Sequence, residues 1–369
     1  MVGRSSKKRS VMEGKLRTAN AHVVTLAMAL AILVFYLILG EVFSRSDIAH
    51  NLFITPDLGG KYRGFVEQLN RLDTFVSGRD DIDCIFLGDS TVMSDFSPSV
   101  FSKSFYDQTG SVIDCFNFGV GDSNVVGSAA LAKILIDEYH PKLLIYGIHI
   151  LNYATPGKSE GAAAILESPW VQYKLGYFSM EGWLYEHSYL YRYLDTYGKL
   201  ADLGTNYNEL LRRGETYMPE GYYPMEGQGP FDLTNPPDPA SQHPYDEHYF
   251  TALGNFKVDP TNLEALRQIA DLQSANTQII AVEMPVSDTF YYYLDGGRQE
   301  YSLFVEEIRK TLSENSTGFL QVESLLPLPP NLWFNRNHLN TEGAEQFSKW
   351  LGERLGEAVA EGKVSLPSG

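Results

Sequence analysis

The sequence predicts a doubly wound α/β domain built on a parallel sheet of about five strands, standing behind a single transmembrane helix. Short apolar runs, each ending at a turn, recur along the chain: Ile82–Leu87, Val112–Phe116, Leu143–Tyr146, Thr277–Met284 and Phe319–Val322. Continuous runs of this length suit strands that are covered on both faces, as strands of parallel sheets are. Helical patterns separate them, over Gly127–Tyr139, from Pro260 (capped by Asp259) to about Ala275, over Tyr301–Leu312 and over Thr341–Val359. Alternation of strand and helix is the signature of a doubly wound sheet. The third observation is an uncharged apolar run, Val23 to Gly40, behind a basic N-terminus.

That N-terminus sets the compartment. Residues 1–22 carry Arg4, Lys7, Lys8, Arg9, Lys15 and Arg17 against the single acid Glu13. At about 1.5 Å per residue the apolar run spans roughly 27 Å, close to a bilayer core. It is long for a cleaved signal peptide, and no clear small-x-small site follows it. The positive-inside rule then keeps residues 1–22 in the cytoplasm as a basic tail and makes 23–40 a signal anchor. The rest of the chain is expected in the periplasm or outside the cell. Net charge is −17 over 369 residues. Past the N-terminus no basic stripe is visible, which argues against nucleic acid as a partner.

Between anchor and domain, residues 41–79 read as a neck ending in an amphipathic helix from Gly60 to Val76, with Phe65, Leu69, Leu72, Phe75 and Val76 at helical spacing. The domain is expected over 80–360, with 361–369 as a tail. Residues 152–258 separate the third and fourth strands, far more than a crossover needs. This insertion is rich in Tyr, Trp, Gly and Pro, with one helix expected around Met180–Leu203 and a loop from Met218 to His248. It is expected to pack over the strand C-termini, where such sheets bind ligands.

Three motifs carry chemistry. Gly88-Asp89-Ser90 follows the first strand directly, so the serine hydroxyl is presented at the C-terminal edge of the sheet. Asn117-Phe118-Gly119-Val120-Gly121-Asp122-Ser123 follows the second, where glycine lets backbone N–H groups approach a ligand. Asn335-Arg336-Asn337-His338-Leu339-Asn340 precedes the last helix.

In order and strand position these blocks resemble those of the SGNH (GDSL-type) hydrolase superfamily, over about residues 80–150 and 277–360. The chain looks similar to its membrane-anchored branch, which includes alginate-type O-acetyltransferases. The resemblance implies a flavodoxin-like sheet in the SGNH hydrolase fold, with Ser90 as nucleophile and His338 as its general base. It places the oxyanion donors at the backbone N–H groups of Ser90 and Gly121. It calls for no cofactor and no metal.

Two positions depart from the pattern. His149 stands where the superfamily has its oxyanion-hole asparagine, and Asn152 lies slightly further on. Asn335 stands where the acid that orients the histidine belongs. Glu283, at the end of a strand on the active edge, is a candidate alternative acid, with a purely structural carboxylate as the other reading. The expected function is a Ser/His esterase or O-acyltransferase acting through an acyl-enzyme. Its expected partners are a cell-envelope or exported polysaccharide or another acyl acceptor, the inner membrane through the N-terminal helix, and a membrane acyl-donor protein. The alternative, favoured by Asn335 and His149, is a weak or inactive domain that binds glycan or joins a membrane complex.

The remaining features have bland readings. Cys84 and Cys115 sit at equivalent points of neighbouring strands and read as buried thiols, because adjacent parallel strands rarely offer disulfide geometry. His243, Asp246, Glu247 and His248 match no metal spacing and read as a polar loop. Tyr291–Tyr293 and Tyr189, Tyr191 and Tyr193 either line a carbohydrate site or pack the insertion on the core.

Overall fold

The computed structural model describes residues 5–46, 48–49, 65–77, 79, 82–154, 160–202, 207–229, 231–238, 244–314, 317–322 and 325–366. The N-terminal helix α1 (Ser5–Ser44) and α2 (Phe65–Val76) lead into the alternating core. That core opens with β1 (Cys84–Gly88), α3 (Ser90–Asp95), α4 (Pro98–Thr109), β2 (Cys115–Gly119), α5 (Val125–Tyr139) and β3 (Leu143–Ile148). The insertion holds α6 (Glu160–Leu166), α7 (Pro169–Lys174), α8 (Met180–His187), α9 (Tyr189–Asp202), α10 (Tyr207–Thr216) and α11 (Pro244–Leu253). The core resumes with α12 (Pro260–Asp271), β4 (Gln278–Glu283), α13 (Gly297–Ser313), β5 (Gly318–Leu320) and α14 (Thr341–Ala360).

The sheet is five-stranded and parallel throughout, in the order β2-β1-β3-β4-β5. This is the expected doubly wound α/β sheet, with the order reversing beside β1. β1, β2 and β3 are buried along their whole length, which is why they read as largely apolar runs. On one face α4 and α14 pack through Phe86, Phe96, Phe101 and Phe347, with Phe86 stacked on Phe96 at 4.7 Å and Phe96 on Phe347 at 4.9 Å. On the other, α5 and α12 contribute Leu131, Leu135, Leu266 and Ile269.

Boundaries differ from the sequence reading for identifiable reasons. The second strand runs three residues past the expected end because Asn117, a polar residue inside it, is fully satisfied there. Its amide donates to the carbonyls of Val92 at 2.7 Å and Phe96 at 2.8 Å, and its oxygen accepts from the Gly119 amide at 2.9 Å. The expected helix over Met180–Leu203 breaks at Ser188 into α8 and α9, and Leu203 lies outside the described residues. The cause is remote in sequence. Glu41, in the last turn of α1, accepts from the Ser188 hydroxyl at 2.7 Å and from the amides of Tyr189 at 3.0 Å and Leu190 at 3.2 Å. A carboxylate thus caps the start of α9 and satisfies donors that a continuous helix would have used internally. The neck helix is seen from Phe65; its expected start at Gly60 lies outside the described residues.

Cys84 and Cys115 are direct register partners on β1 and β2, and both are free, buried thiols. Burial, followed by the neighbouring Cys115, pushes the Cys84 thiol well above its ordinary value.

The insertion crosses the C-terminal edge of the sheet. The Asn117 amide donates to the Glu220 carbonyl at 2.8 Å, the Tyr223 amide to the Met93 carbonyl at 3.0 Å, and the Thr341 amide to the Met225 carbonyl at 2.8 Å. The Gln68 side chain of α2 ties both layers together, donating to Gly119 at 3.0 Å and to Gly221 at 3.1 Å.

Candidate active site

Asp89 places Ser90. Its backbone is extended, and its Oδ1 accepts from the Thr91 amide at 2.8 Å and the Thr91 hydroxyl at 2.6 Å, so it caps α3 and makes Ser90 the first helical residue. The Ser90 N–H therefore belongs to an open first turn, where backbone donors lack intrahelical partners. The tight seat of that turn against β2 requires glycine at 119: a Cβ there would lie 2.2 Å from the Met93 nitrogen, which is backbone and cannot swing away.

His338 arrives from the other end of the chain. It sits in a loop closed by the Trp333–Leu339 bridge and by Asn340, which caps α14 by accepting from the Gly343 amide at 3.0 Å. The His338 Nε2 lies 2.9 Å from the Ser90 hydroxyl oxygen across 248 residues of sequence. On the far side of the ring, Nδ1 lies 3.1 Å from Asn335 Oδ1. The same oxygen accepts from the backbone amides of Asn337 at 3.0 Å and His338 at 2.8 Å. Those two donors fix the side-chain amide with its oxygen toward the ring, since an NH₂ group accepts nothing. The ring must then carry its proton on Nδ1, which leaves the Nε2 lone pair free to accept from Ser90. That is the tautomer a general base needs. Burial lowers the His338 pKa to about 4, with the nearby Asp89 charge opposing the shift, so the ring is neutral at neutral pH.

Asp89 has a second role. Its Oδ2 accepts from the Asn152 side-chain amide at 2.8 Å and lies 3.6 Å from His149 Nδ1. Asn152 reaches this point because the chain after β3 turns through a short 3₁₀ segment, Ile150–Tyr153. His149 is buried, stands 5.6 Å from the Phe290 ring, and makes no hydrogen bond through either ring nitrogen. Burial lowers its pKa against the pull of Asp89, so it is held neutral.

These groups line one cavity of about 410 Å³. Ser90, His338, Gly121, His149 and Asn152 form its floor on the sheet edge. Arg213, Tyr217, Met225, Tyr245, His248 and Tyr249 enclose it from the insertion. At Gly121 nothing stands within 4 Å of where a Cβ would be, so the loop after β2 opens onto space. Asp122 adopts a left-handed conformation there, at φ 59°.

No protein-family model and no curated protein matches the chain. Among solved structures, the inhibitor-bound aryl esterase of M. smegmatis aligns at 11% identity with a TM-score of 0.33, over 76% of this chain and 99% of that one. A carbohydrate acetylesterase family member from Sinorhizobium meliloti aligns at 12% identity with a TM-score of 0.31, over 76% and 98%.

Glu283 is not beside His338 Nδ1, which Asn335 already occupies. The Glu283 Oε2 instead accepts from the Val322 amide at 2.7 Å, beyond the paired end of β5, and faces a separate cavity of about 50 Å³ with Tyr291, Arg298 and Trp333. The tyrosines singled out in the sequence also lie away from the cavity. Tyr293 is buried, donates to Asp246 and packs on Tyr249, Tyr291 meets Tyr301 edge-to-face, and the Tyr189 ring carries the Arg45 and Arg192 guanidinium groups at 4.8 and 4.9 Å. Of the His243-to-His248 cluster, only His248 reaches the cavity wall, and His243 lies outside the described residues.

Two residues that matter were missed. Tyr249 donates to Asn337 at 2.6 Å and so braces the histidine loop from the insertion. Asp95, fully buried, accepts from the Leu339 amide at 3.0 Å and from the Ser94 hydroxyl at 2.8 Å, joining the serine helix to the histidine loop. Burial pushes its carboxyl well above the usual carboxylate range. Nothing in the local sequence pattern marks either residue, because both act on a partner distant in the chain.

Proposed function

We propose that this chain is an SGNH-type, membrane-anchored Ser/His esterase or O-acyltransferase that works through an acyl-enzyme on Ser90. The observation that carries this reading is the array Ser90–His338–Asn335, with each contact near 3 Å and the ring in the tautomer that accepts from serine. In the proposed cycle Ser90 Oγ attacks the acyl carbonyl while His338 Nε2 takes its proton. The Ser90 and Gly121 amides hold the oxyanion. Collapse breaks the ester C–O bond, and His338 returns the proton to the leaving alcohol. A second hydroxyl, from water or an acceptor sugar, then gives its proton to His338 and attacks the acyl-serine; collapse breaks the Ser90 Oγ–acyl bond, and His338 returns the proton to Ser90. The polar, tyrosine-rich wall of the cavity and the N-terminal anchor support an acceptor at the cell envelope, such as an exported polysaccharide.

A fluorophosphonate probe tests the reading on the full chain in detergent. It should label the native protein at Ser90 and fail on Ser90→Ala. A native protein that stays unlabelled would leave the binding-module reading standing. One observation favours that alternative: a ring whose pKa is near 4 is a weak base, and general-base efficiency falls with basicity.

α1 includes one stretch, His22–Ser44, that is long and apolar enough to cross a membrane. We read it as a single span with the basic tail in the cytoplasm and the domain outside. A C-terminal reporter that fluoresces only in the cytoplasm should then stay dark, and a bright reporter would reverse the orientation.

A further inference from the structure

α1 does not end free of the domain. Beyond the Glu41 cap, the Arg45 guanidinium donates to the His187 carbonyl at 2.7 Å, and Leu190 packs at Gly40, 3.0 Å from where a Cβ would be. The end of α8 and the start of α9 are therefore fixed at the level where the apolar run of α1 finishes. The surface at that level is unusually apolar. Tyr177 is 68% exposed, Phe178 73%, Met180 63%, Trp183 40% and Leu194 65%.

Met180 and Trp183 share a side of α8. Met180, Trp183 and His187 follow one another at i, i+3 and i+7 along α8, one stripe of a helix. The opposite side of α8 buries Gly182 and Tyr185. The rings of Trp183 and His187 lie 5.0 Å apart, His187 and Tyr173 6.1 Å, and Tyr173 and Phe178 6.3 Å, so the cluster is continuous from the Arg45 contact to Phe178. On α9, Leu194 is one turn beyond Leu190, which touches α1. Several ionised groups nearby are paired: Lys174 bridges Glu138 and Glu186, and Arg45 holds Glu41, while Glu181 at the start of α8 is exposed.

We infer that Tyr177, Phe178, Met180, Trp183 and Leu194 form a membrane-contact surface that rests in the headgroup layer of the bilayer crossed by α1. One turn of helix advances about 5.4 Å, so Trp183 lies about one turn from the residue that holds the anchor, within the 5–10 Å reach of interfacial burial. Aromatic side chains with a polar edge favour that layer. The bilayer is necessarily there.

The inference rests on reading α1 as a membrane span, and the test separates the two. The sequence has four Trp, none in α1, and Trp170, Trp333 and Trp350 are buried. The full chain is placed in phosphatidylcholine nanodiscs with and without brominated acyl chains, which quench only Trp at short range. Brominated lipid should remove up to about a quarter of the emission, the share of one Trp in four. Trp183→Phe should abolish the quenching, and adding Phe178→Trp to that variant should restore it. Equal emission in the two lipids, from protein that resists alkaline extraction from membranes, overturns the contact surface and leaves the span intact. Release by alkaline extraction overturns both.

Discussion

Asn335→Asp should raise Ser90-dependent turnover at pH 8 by about 10- to 100-fold, or roughly 1.4 to 2.7 kcal/mol of barrier. The replacement is isosteric, and its oxygen keeps the donors from Nδ1 of His338 and the amides of Asn337 and His338. What it adds is a charge. In serine proteases exchanging the acid for its amide costs about 10⁴, but much of that loss comes from the wrong tautomer. Here the tautomer is already right, so only the charge that stabilises the imidazolium is missing, and the gain is smaller. The pH profile supplies the check. Native kcat/KM should stay level down to about pH 4, where His338 protonates. An ion-paired carboxylate raises a histidine pKa by about 1–3 units, moving the acid limb to between about pH 5 and pH 7. The variant's advantage should therefore shrink as pH falls from 8 to 5, where its base is increasingly protonated and the native base is not. A gain of the same size at pH 5 and pH 8 would show that Asn335 does not act through His338.

Ser90→Ala and His338→Ala should each reduce turnover by about 10³-fold or more, and the double variant should be no slower than either single one within a factor of about three. Two residues joined by one 2.9 Å hydrogen bond perform one proton transfer, so losing either loses the step. Losses that multiply would mean that the two act independently, and the shared acyl-enzyme mechanism would fall. Both variants should unfold near the native temperature, since neither side chain is needed to close the sheet edge.

The sheet was legible because β1, β2 and β3 are buried along their whole length and β4 along most of it, which makes them largely apolar, whereas β5 is short and only partly buried. Ser90 and His338 were legible because turn chemistry and helix caps are local: Gly88-Asp89-Ser90 and His338-Leu339-Asn340 carry their geometry with them. What stayed hidden depends on distant pairs. Glu283 sits at a strand end on the active edge, and only the paired neighbour β5 reveals that its carboxylate is spent on Val322. The break at Ser188 is set by Glu41, 147 residues away. The orientation of the Asn335 amide is invisible to composition, because it is decided by two backbone donors in the loop that follows.

The Glu41 cap has a bearing on how this protein meets its substrate. A domain on a loose leash samples a hemisphere, and its cavity visits every height above the membrane. With α1 as the proposed membrane span, a domain whose anchor ends in a bonded corner, with Glu41 on Tyr189 and Leu190 and Arg45 on His187, would keep one tilt and one altitude. Substrates held at that altitude are met by lateral diffusion in a thin slab, whereas a freely dissolved ester has to find the slab first. Geometry of this kind selects substrates by where they reside as much as by what they are.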